Sequence, residues 1–411
     1  MSKINDLIKK LCPNGVEYKS LKDIFELFSG MTGVSNKWAD EGNCRFIDYM
    51  NAYKNNKIDI TKLPYATVKN TKQTTLIQGD LLLTSASEVP DECAIASVIE
   101  DEIQDGIFMD DHLFGLRLKD EYKNIINTTF ISYYLNSKPF RCNLFKAVRG
   151  VTRFYISNKD YIKLNIPIPP IEVQEEIVRI LDKFGELEAE LEAELEARKS
   201  QYEFWRDKLL NSDYELKTLE SICLKTNNIN WNSQFGDFNY IDLSSVNRDN
   251  NTIEETTIIN TSNAPSRAKQ IIKQNDILFG TTRPMLKRIT IVPEKYDNQI
   301  CSTGYCVLRP NLDKIIPEWL YYNLQTNKYY DYVESFQQGA SYPSISDSAV
   351  KSYKIPIPPL TKQEQIVNVL SKFDKLVNDI SEGLPAEIEA RRKQYEYYRN
   401  KLLSFEEVSC E

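Results

Sequence analysis

Histidine is almost missing from this chain: His112 is the only one in 411 residues. That excludes histidine-rich metal centres, and Asp110-Asp111-His112, with no nucleophile or further ligand beside it, reads as a turn or surface cluster. The eight cysteines (12, 44, 93, 142, 223, 301, 306 and 410) form no Cys-x-x-Cys, and the one close pair, Cys301 and Cys306, has neither a histidine nor a second pair nearby. Zinc-ligand spacing is therefore absent, and the cysteines are expected to be reduced thiols. No run of about 18 apolar residues occurs, and the opening Met1 to Leu11 lacks the apolar core and cleavage site of a secretion signal, so a cytoplasmic chain with no membrane segment is expected. Glycine-rich phosphate loops, dinucleotide or methyl-donor glycine motifs and an Asn-Pro-Pro-aromatic signature are missing too. Pro90-Asp91-Glu92 matches nuclease motifs over three residues only. Nothing in the sequence supports catalysis by this chain alone.

An excess of positive charge is also lacking, since 51 basic residues face 59 acidic ones, a net charge of -8. The deficit is local. Residues 166–210 carry 6 basic and 12 acidic side chains, whereas 1–165 carry 22 and 21, and 211–354 carry 15 and 16. Two near-neutral segments can still concentrate positive charge on one face.

What the chain does contain is itself, twice. Ile166-Pro167-Ile168-Pro169-Pro170 returns as Ile355-Pro356-Ile357-Pro358-Pro359, and from there to Phe184 and Phe373 the copies share 12 of 19 residues, Gln174-Glu175 and Gln363-Glu364 among them. Farther on, Glu196 to Leu210 and Glu389 to Leu403 share 10 of 15. Two repeats this long do not make a solenoid, whose units span about 20 to 50 residues; they make a duplicated module of globular domain plus helix. The chain divides into globular segments at 1–165 and 211–354 and helical segments at 166–210 and 355–411. Short apolar runs (Asp80 to Thr84, Ile289 to Val292, Cys306 to Leu308) predict strands, while Phe130 to Leu135 and Trp319 to Leu324 predict helices, so each globular segment mixes α and β.

In the helical segments apolar residues fall at Ile177, Leu181, Phe184, Leu187, Leu191 and Leu195, and at Ile366, Leu370, Phe373, Val377, Ile380, Leu384 and Ile388. Steps of three and four place each set on one stripe. A helix over 172–210 would run about 55 to 60 Å, and an antiparallel coiled pair buries both stripes. The fold class is thus α+β: two mixed domains separated by two long antiparallel helices with a pseudo-twofold repeat. Gly383 and Pro385 must weaken or kink the second helix, although Pro385 can also start a new one at its first turn. The Ile-Pro-Ile-Pro-Pro segments read as extended connectors that end a strand and set the helix start. Tyr202, Phe204 and Trp205, like Tyr395, Tyr397 and Tyr398, either seal a helix end against a domain or anchor a partner.

Two dissimilar globular domains, each followed by a near-identical helix that opens with Ile-Pro-Ile-Pro-Pro and Gln-Glu-x-Ile-Val, resemble the specificity subunit of type I restriction-modification systems. The segments Leu11 to Tyr18 and Ala386 to Arg399 resemble it as well, so the likeness spans essentially the whole chain. It implies that each domain is a target recognition domain reading one half of a split sequence in double-stranded DNA. It also implies that the helices separate the domains and dock two methyltransferase subunits, that restriction-translocase subunits join them, and that S-adenosylmethionine, ATP and Mg belong to those partners, with no cofactor on this chain. The tetrads Leu187 to Glu190, Leu191 to Glu194 and Leu195 to Arg198 sit where family members carry a variable number of four-residue repeats. Each tetrad advances a helix by about 6 Å and turns it by about 40°, which suits a ruler between half-sites; they are also simply good helix formers with an acidic solvated face.

For DNA contact, the first domain offers Lys138, Arg141, Lys146, Arg149, Arg153, Lys159 and Lys163 within 26 positions that hold one acid, Asp160. Gly150-Val151-Thr152-Arg153-Phe154-Tyr155 aligns with Gly339-Ala340-Ser341-Tyr342-Pro343-Ser344, two glycine-started polar loops with different side chains. The second domain adds Thr281, Thr282, Arg283, Lys287 and Arg288 after an expected strand, a loop the resemblance marks as approaching DNA; the matching Thr84-Ser85-Ala86-Ser87 has no arginine. The candidates are Lys146, Arg149, Thr152, Arg153, Tyr155, Thr281, Thr282, Arg283, Lys287, Arg288, Gln338, Ser341 and Tyr342. From a different class, a bivalent coiled-coil adaptor binding proteins or glycans would use the same architecture, and an enzyme with a cleft between its domains has no motif behind it.

Overall fold

In the computed structural model, which describes residues 2–70, 72–211, 213–233, 236–379 and 381–408, the Ile-Pro-Ile segments are strands rather than mere connectors. Asn165–Ile168 pairs antiparallel with Glu17–Ser20, setting Pro167 opposite Tyr18, and Lys354–Pro356 pairs with Leu216–Thr218, setting Pro356 opposite Leu216. A proline, which has no N–H to donate, is tolerated because each ladder has only two strands. Each domain thus closes its last strand onto its first and leaves from there for its helix.

The chain forms two units, Met1–Glu188 with Arg391–Glu411 and Ala189–Ala390, with 40-residue helix Ile171–Leu210 contributing to both. In the first, an antiparallel sheet runs Phe25–Ser29, Leu113–Leu118, Leu81–Thr84, Ala96–Val98; a second runs Val34–Ala39, Tyr65–Val68, Cys44–Ile47, Ile107–Met109, its last two strands parallel. The second unit repeats the plan with Cys223–Leu224, Tyr305–Pro310, Ile277–Gly280 and Ile289–Ile291, and with Thr257–Ile259, Phe238–Ile241, Ile300–Ser302 and Ala268–Ile271, where Phe238–Ile241 and Ile300–Ser302 are parallel. The expected helices form as Thr128–Leu135 and Pro317–Asn323. No helix among the described residues is long and apolar enough to cross a membrane.

The uninterrupted apolar run of the central strands has a physical cause. Leu81 and Leu83 point into the larger core of the first unit, with Phe130, Phe140, Tyr161 and Ile177, while Leu82 between them points into a smaller core with Ile47, Ile99 and Met109. Ile277 and Phe279 likewise enter one core of the second unit and Leu278 another. Alternate side chains serve opposite faces and both faces are covered, so no polar alternation survives. Each central strand starts at a buried acid held by a bidentate arginine. Arg117 donates to both oxygens of Asp80 at 2.8 and 2.6 Å, and Arg309 to both of Asp276 at 2.9 and 2.7 Å.

The repeated glutamine fastens helix to domain. Gln174, fully buried, donates to the carbonyls of Pro169 (2.7 Å) and Ile125 (2.8 Å) and accepts from the Asn127 N–H (2.9 Å). Gln363 does the same with Pro358 (2.8 Å), Lys314 (3.1 Å) and the Ile316 N–H (3.0 Å). One carboxamide therefore satisfies three backbone groups from two segments.

Within the first unit the helices run antiparallel: Phe184 meets Tyr398 (ring centroids 5.6 Å) and Tyr395 (6.3 Å), and Glu188 accepts from Arg392 at 2.6 Å. The second helical segment is two helices, Leu360–Asn378 and Leu384–Leu402. Its break lies at Gly383, where a Cβ would sit 2.6 Å from the Lys375 carbonyl oxygen and 2.7 Å from that of Asp379; Pro385 stands in the first turn of the new helix. Of the stripe residues, Ile177, Leu181, Leu370 and Val377 are buried, Leu191 and Leu195 half-buried, and Leu187 exposed; Ile380, like Cys410, lies outside the described residues. The terminal aromatics divide. Tyr202 and Tyr395 turn toward the cores, whereas Phe204 (61 % exposed) and Tyr397 (61 %) face solvent beneath Lys208 and Lys401.

Replacing Gln363 by Ala leaves the Lys314 and Pro358 carbonyls and the Ile316 N–H without their partner. Urea unfolding followed by fluorescence is expected to show a loss of about 2–4 kcal/mol, and Gln174→Ala a loss of the same order.

Candidate nucleic-acid interface

The two glycine-started loops are closed by the same pair of hydrogen bonds. Arg149 and Tyr155 exchange N–H and carbonyl at 2.9 Å each way, and Gln338 and Ser344 exchange them at 2.8 Å each way. Both loops turn on a glycine in a conformation that side chains disfavour, Gly150 at φ +117° and Gly339 at φ +99°. A Cβ on Gly150 would lie 2.0 Å from the Arg153 carbonyl oxygen. In each unit the returning limb then pairs with the segment that follows the central strand: Phe154 and Tyr155 face Ser87 and Ala86, and Ser344 faces Thr282. The backbone frame is common to both units, while the residues spaced along it differ in charge and size.

Around the first loop, Lys146, Arg149, Thr152 and Arg153 are exposed and Tyr155 is 48 % exposed. Arg149 lies 3.7 Å from Asp160, which also binds Lys163 at 3.1 Å, so the single acid of the basic stretch is shared by two cations. Arg141 does not belong to this surface. Its buried guanidinium donates to the carbonyls of Cys93 (2.6 Å), Ala94 (3.2 Å) and Asp91 (2.6 Å), an internal cross-brace that residue type alone does not reveal.

In the second unit the loop brings Arg283 and Tyr342 together across 59 positions of sequence. The guanidinium lies 4.3 Å from the ring centroid, and the Arg283 N–H donates to the Pro343 carbonyl at 2.7 Å. Arg283 (φ 49°) and Lys287 (φ 55°) are both left-handed, flanking the short turn Pro284–Leu286. Strain of this kind persists only where surrounding bonds over-determine the backbone, and here it lifts Arg283 to an exposed position. Thr282 is half-buried, and Gln338, Ser341 and Tyr342 (71 % exposed) face solvent. Lys287 is exposed, its ammonium 4.9 Å from the Tyr330 ring, and Arg288 is half-buried. Thr281 points the other way: it is 6 % exposed and its hydroxyl donates to the Gly304 carbonyl at 2.9 Å, so it braces the loop from beneath.

Two neighbours of the first loop were not visible in the sequence. Tyr49 donates to the Ala86 carbonyl at 3.0 Å, beneath the strand that pairs with Tyr155, and burial pushes its phenol up. Lys37 reaches Asp110 (3.1 Å) and Asp111 (2.5 Å), and His112 gives its carbonyl to Ser85 N–H. Burial works against the charge on Asp111, but hydrogen bonds with Asp110 and Lys37 and the charges of Lys37 and His112 hold its carboxyl at about 2. Lys37 thus occupies the acidic cluster, which serves as an ion-paired corner beside the loop. Long-range pairings of this kind carry no local motif.

The family model described as Type I restriction modification DNA specificity domain matches this chain twice, over residues 13–197 and 211–390. The EcoR124I/EcoR124II specificity subunit of Escherichia coli is 32 % identical over 309 residues, covering 70 % of this chain and 72 % of that one. A putative type I specificity subunit of Haemophilus influenzae is 28 % identical over 298 residues, covering 69 % and 74 %. Among solved structures, a chain of a type I R-M system superposes with TM-score 0.63 at 16 % identity over 95 % of this chain and 98 % of that one. The S subunit from M. genitalium gives 0.50 at 15 % over 95 % and 96 %; at these identities the likeness is one of fold.

Gly150→Ala forces a methyl onto the Arg153 carbonyl and is expected to open the first loop at a cost of about 1–3 kcal/mol. Amide exchange at Arg149 and Tyr155 should accelerate correspondingly, while Arg141 stays protected.

Proposed function

We propose that this chain, which belongs to the type I restriction-modification DNA specificity family, reads a two-part sequence in double-stranded DNA, one part with each globular domain. The observation that carries this reading is the pair of loops closed by the same backbone bridge and bearing different side chains. A shared frame holds each domain in one register on a duplex, and the side chains placed on it set which bases are accepted. Arg283, raised by its left-handed backbone and backed by Tyr342, supplies a guanidinium fork, which can pair bidentately with guanine for about 1–3 kcal/mol of discrimination. In the first domain Arg149, Arg153 and Lys146 supply positive charge, with Thr152 and Tyr155 between them.

The chain itself does no chemistry in this reading. Two methyltransferase subunits dock on its helical segments, where the exposed Phe204, Trp205 and Tyr397 offer aromatic anchors, and restriction-translocase subunits complete the assembly. S-adenosylmethionine, ATP and Mg are bound by those partners. The tetrads Leu187 to Arg198 set the interval between the two half-sites; their leucines follow the helix stripe while Glu190, Glu192, Glu194 and Glu196 stand in solvent.

Arg283→Ala and Arg153→Ala, assayed in complex with the methyltransferase subunits, are expected to weaken binding to target duplex. A base contact shows as about 1–3 kcal/mol less discrimination against a scrambled duplex, and a phosphate contact as a salt slope shallower by about one unit. Unchanged affinity in both variants sinks the assignment. Deleting Leu191 to Glu194 is expected to change the spacer of the methylated motif, read by sequencing of modified bases; an unaltered spacer rules out the ruler.

A further inference from the structure

The second unit contains a polar cavity of about 170 Å³ between the helix Ile171–Leu210 and the domain, which shares only Lys287 with the contact surface described above. Its wall includes Arg206, 5 % exposed, together with Arg248, Lys287 and Lys199; among the described residues Glu203 is the only acid lining it. Arg206 is answered by Asp207 at 2.9 Å and Lys199 by Glu196 at 3.3 Å, whereas the exposed Arg248 and Lys287 have no carboxylate within ion-pair distance among the described residues. Tyr330 is 5 % exposed, lines the same space and has a hydroxyl with no hydrogen-bond partner; the Gln325 amide nitrogen and the Asn251 carboxamide oxygen, an acceptor only, are also unpartnered. A buried hydroxyl left unpaired costs about 1–3 kcal/mol, so such a group in a cationic cavity points to something that pairs with it.

The duplication supplies an internal control. By the 189-residue offset of the first repeat, Gln325, Tyr330 and Val377 correspond to Asn136, Arg141 and Glu188, and by the 193-residue offset of the second, Lys199 corresponds to Arg392. In the first unit every one of these is satisfied. Asn136 bonds both ways to Ala96, Arg141 donates to three carbonyls, and Glu188 accepts from Arg392 at 2.6 Å. In the second unit arginine has become tyrosine, the glutamate valine, and the donors and cations are left facing the cavity.

We propose that this cavity is a binding site for a phosphate group. Donors converge on it from four separate segments: the long helix at Lys199 and Arg206, the loop at Arg248, the turn at Lys287, and Gln325 with Tyr330. A phosphate group carries acceptor oxygens on all sides and can use donors from several directions at once. Two uncompensated cations match its charge, and the volume holds a phosphoryl group with water beside it. The group comes either from a DNA strand, since Lys287 also belongs to the loop that presents Arg283, or from a free phosphate-bearing small molecule.

Titration calorimetry of the intact chain with inorganic phosphate, ionic strength held constant with chloride, tests this. One saturable site per chain is expected, weakened roughly fivefold or more in Tyr330→Phe, the scale of one hydrogen bond, and weakened also in Arg248→Gln. Tyr330→Phe keeps the buried ring, and an unchanged unfolding midpoint verifies its fold. Repeating the titration on chain saturated with duplex separates the sources: phosphate excluded by duplex assigns the site to a strand phosphodiester, and phosphate bound beside duplex assigns it to a small molecule. No saturable binding, or binding indifferent to both substitutions, overturns the proposal.

Discussion

A buried carboxamide governs how this chain is put together. Gln174 and Gln363 each sit at the start of a long helix and hold three backbone groups of the preceding domain, so the helix leaves its domain in one direction only. Proline-rich backbone at a helix entry lacks donors of its own, and the glutamine supplies them at the point where carbonyls would otherwise be stranded. Because glutamine both donates and accepts, neither glutamate nor leucine reproduces the arrangement. A reader mounted on a helix by a loose joint could not hold register on a rigid duplex; here three hydrogen bonds from one buried carboxamide tie each helix start to its domain.

The same logic runs through each domain. The central strand divides its side chains between two cores, and its entry is pinned by a buried acid and a bidentate arginine. Burying such a pair costs desolvation that ideal fork geometry offsets. What it secures is position: the strand that starts at Asp276 ends at the loop lifting Arg283, so the acid fixes one end of the strand whose other end carries a candidate base contact.

Much of the architecture was legible because it was written twice. The repeat, the helical stripe, the break at Gly383 and Pro385, and the strands at Leu81 and Ile277 all rest on local periodicity or on proline and glycine chemistry, which sequence displays directly. The equivalence of the two loops was visible for the same reason. What was not legible depends on contacts distant in the chain. Arg141 looked like one more surface cation until three carbonyls from another segment claimed it, Thr281 looked like part of a contact loop until Gly304 took its hydroxyl, and Ile-Pro-Ile looked like a connector until Glu17–Ser20 and Leu216–Thr218 paired with it. In each case residue type was read correctly and its partner was not, since a basic or hydroxyl side chain has no sequence mark for inside or outside.

The two copies also differ where they meet solvent. Phe204 and Trp205 are both exposed, whereas of their counterparts Tyr397 is exposed and Tyr398 is stacked against Phe184; one helical segment is continuous and the other broken. A chain built from two copies of one module thus presents two unlike helical faces to solvent, so the pseudo-twofold that relates its halves is broken on the very surface that lies outside both cores.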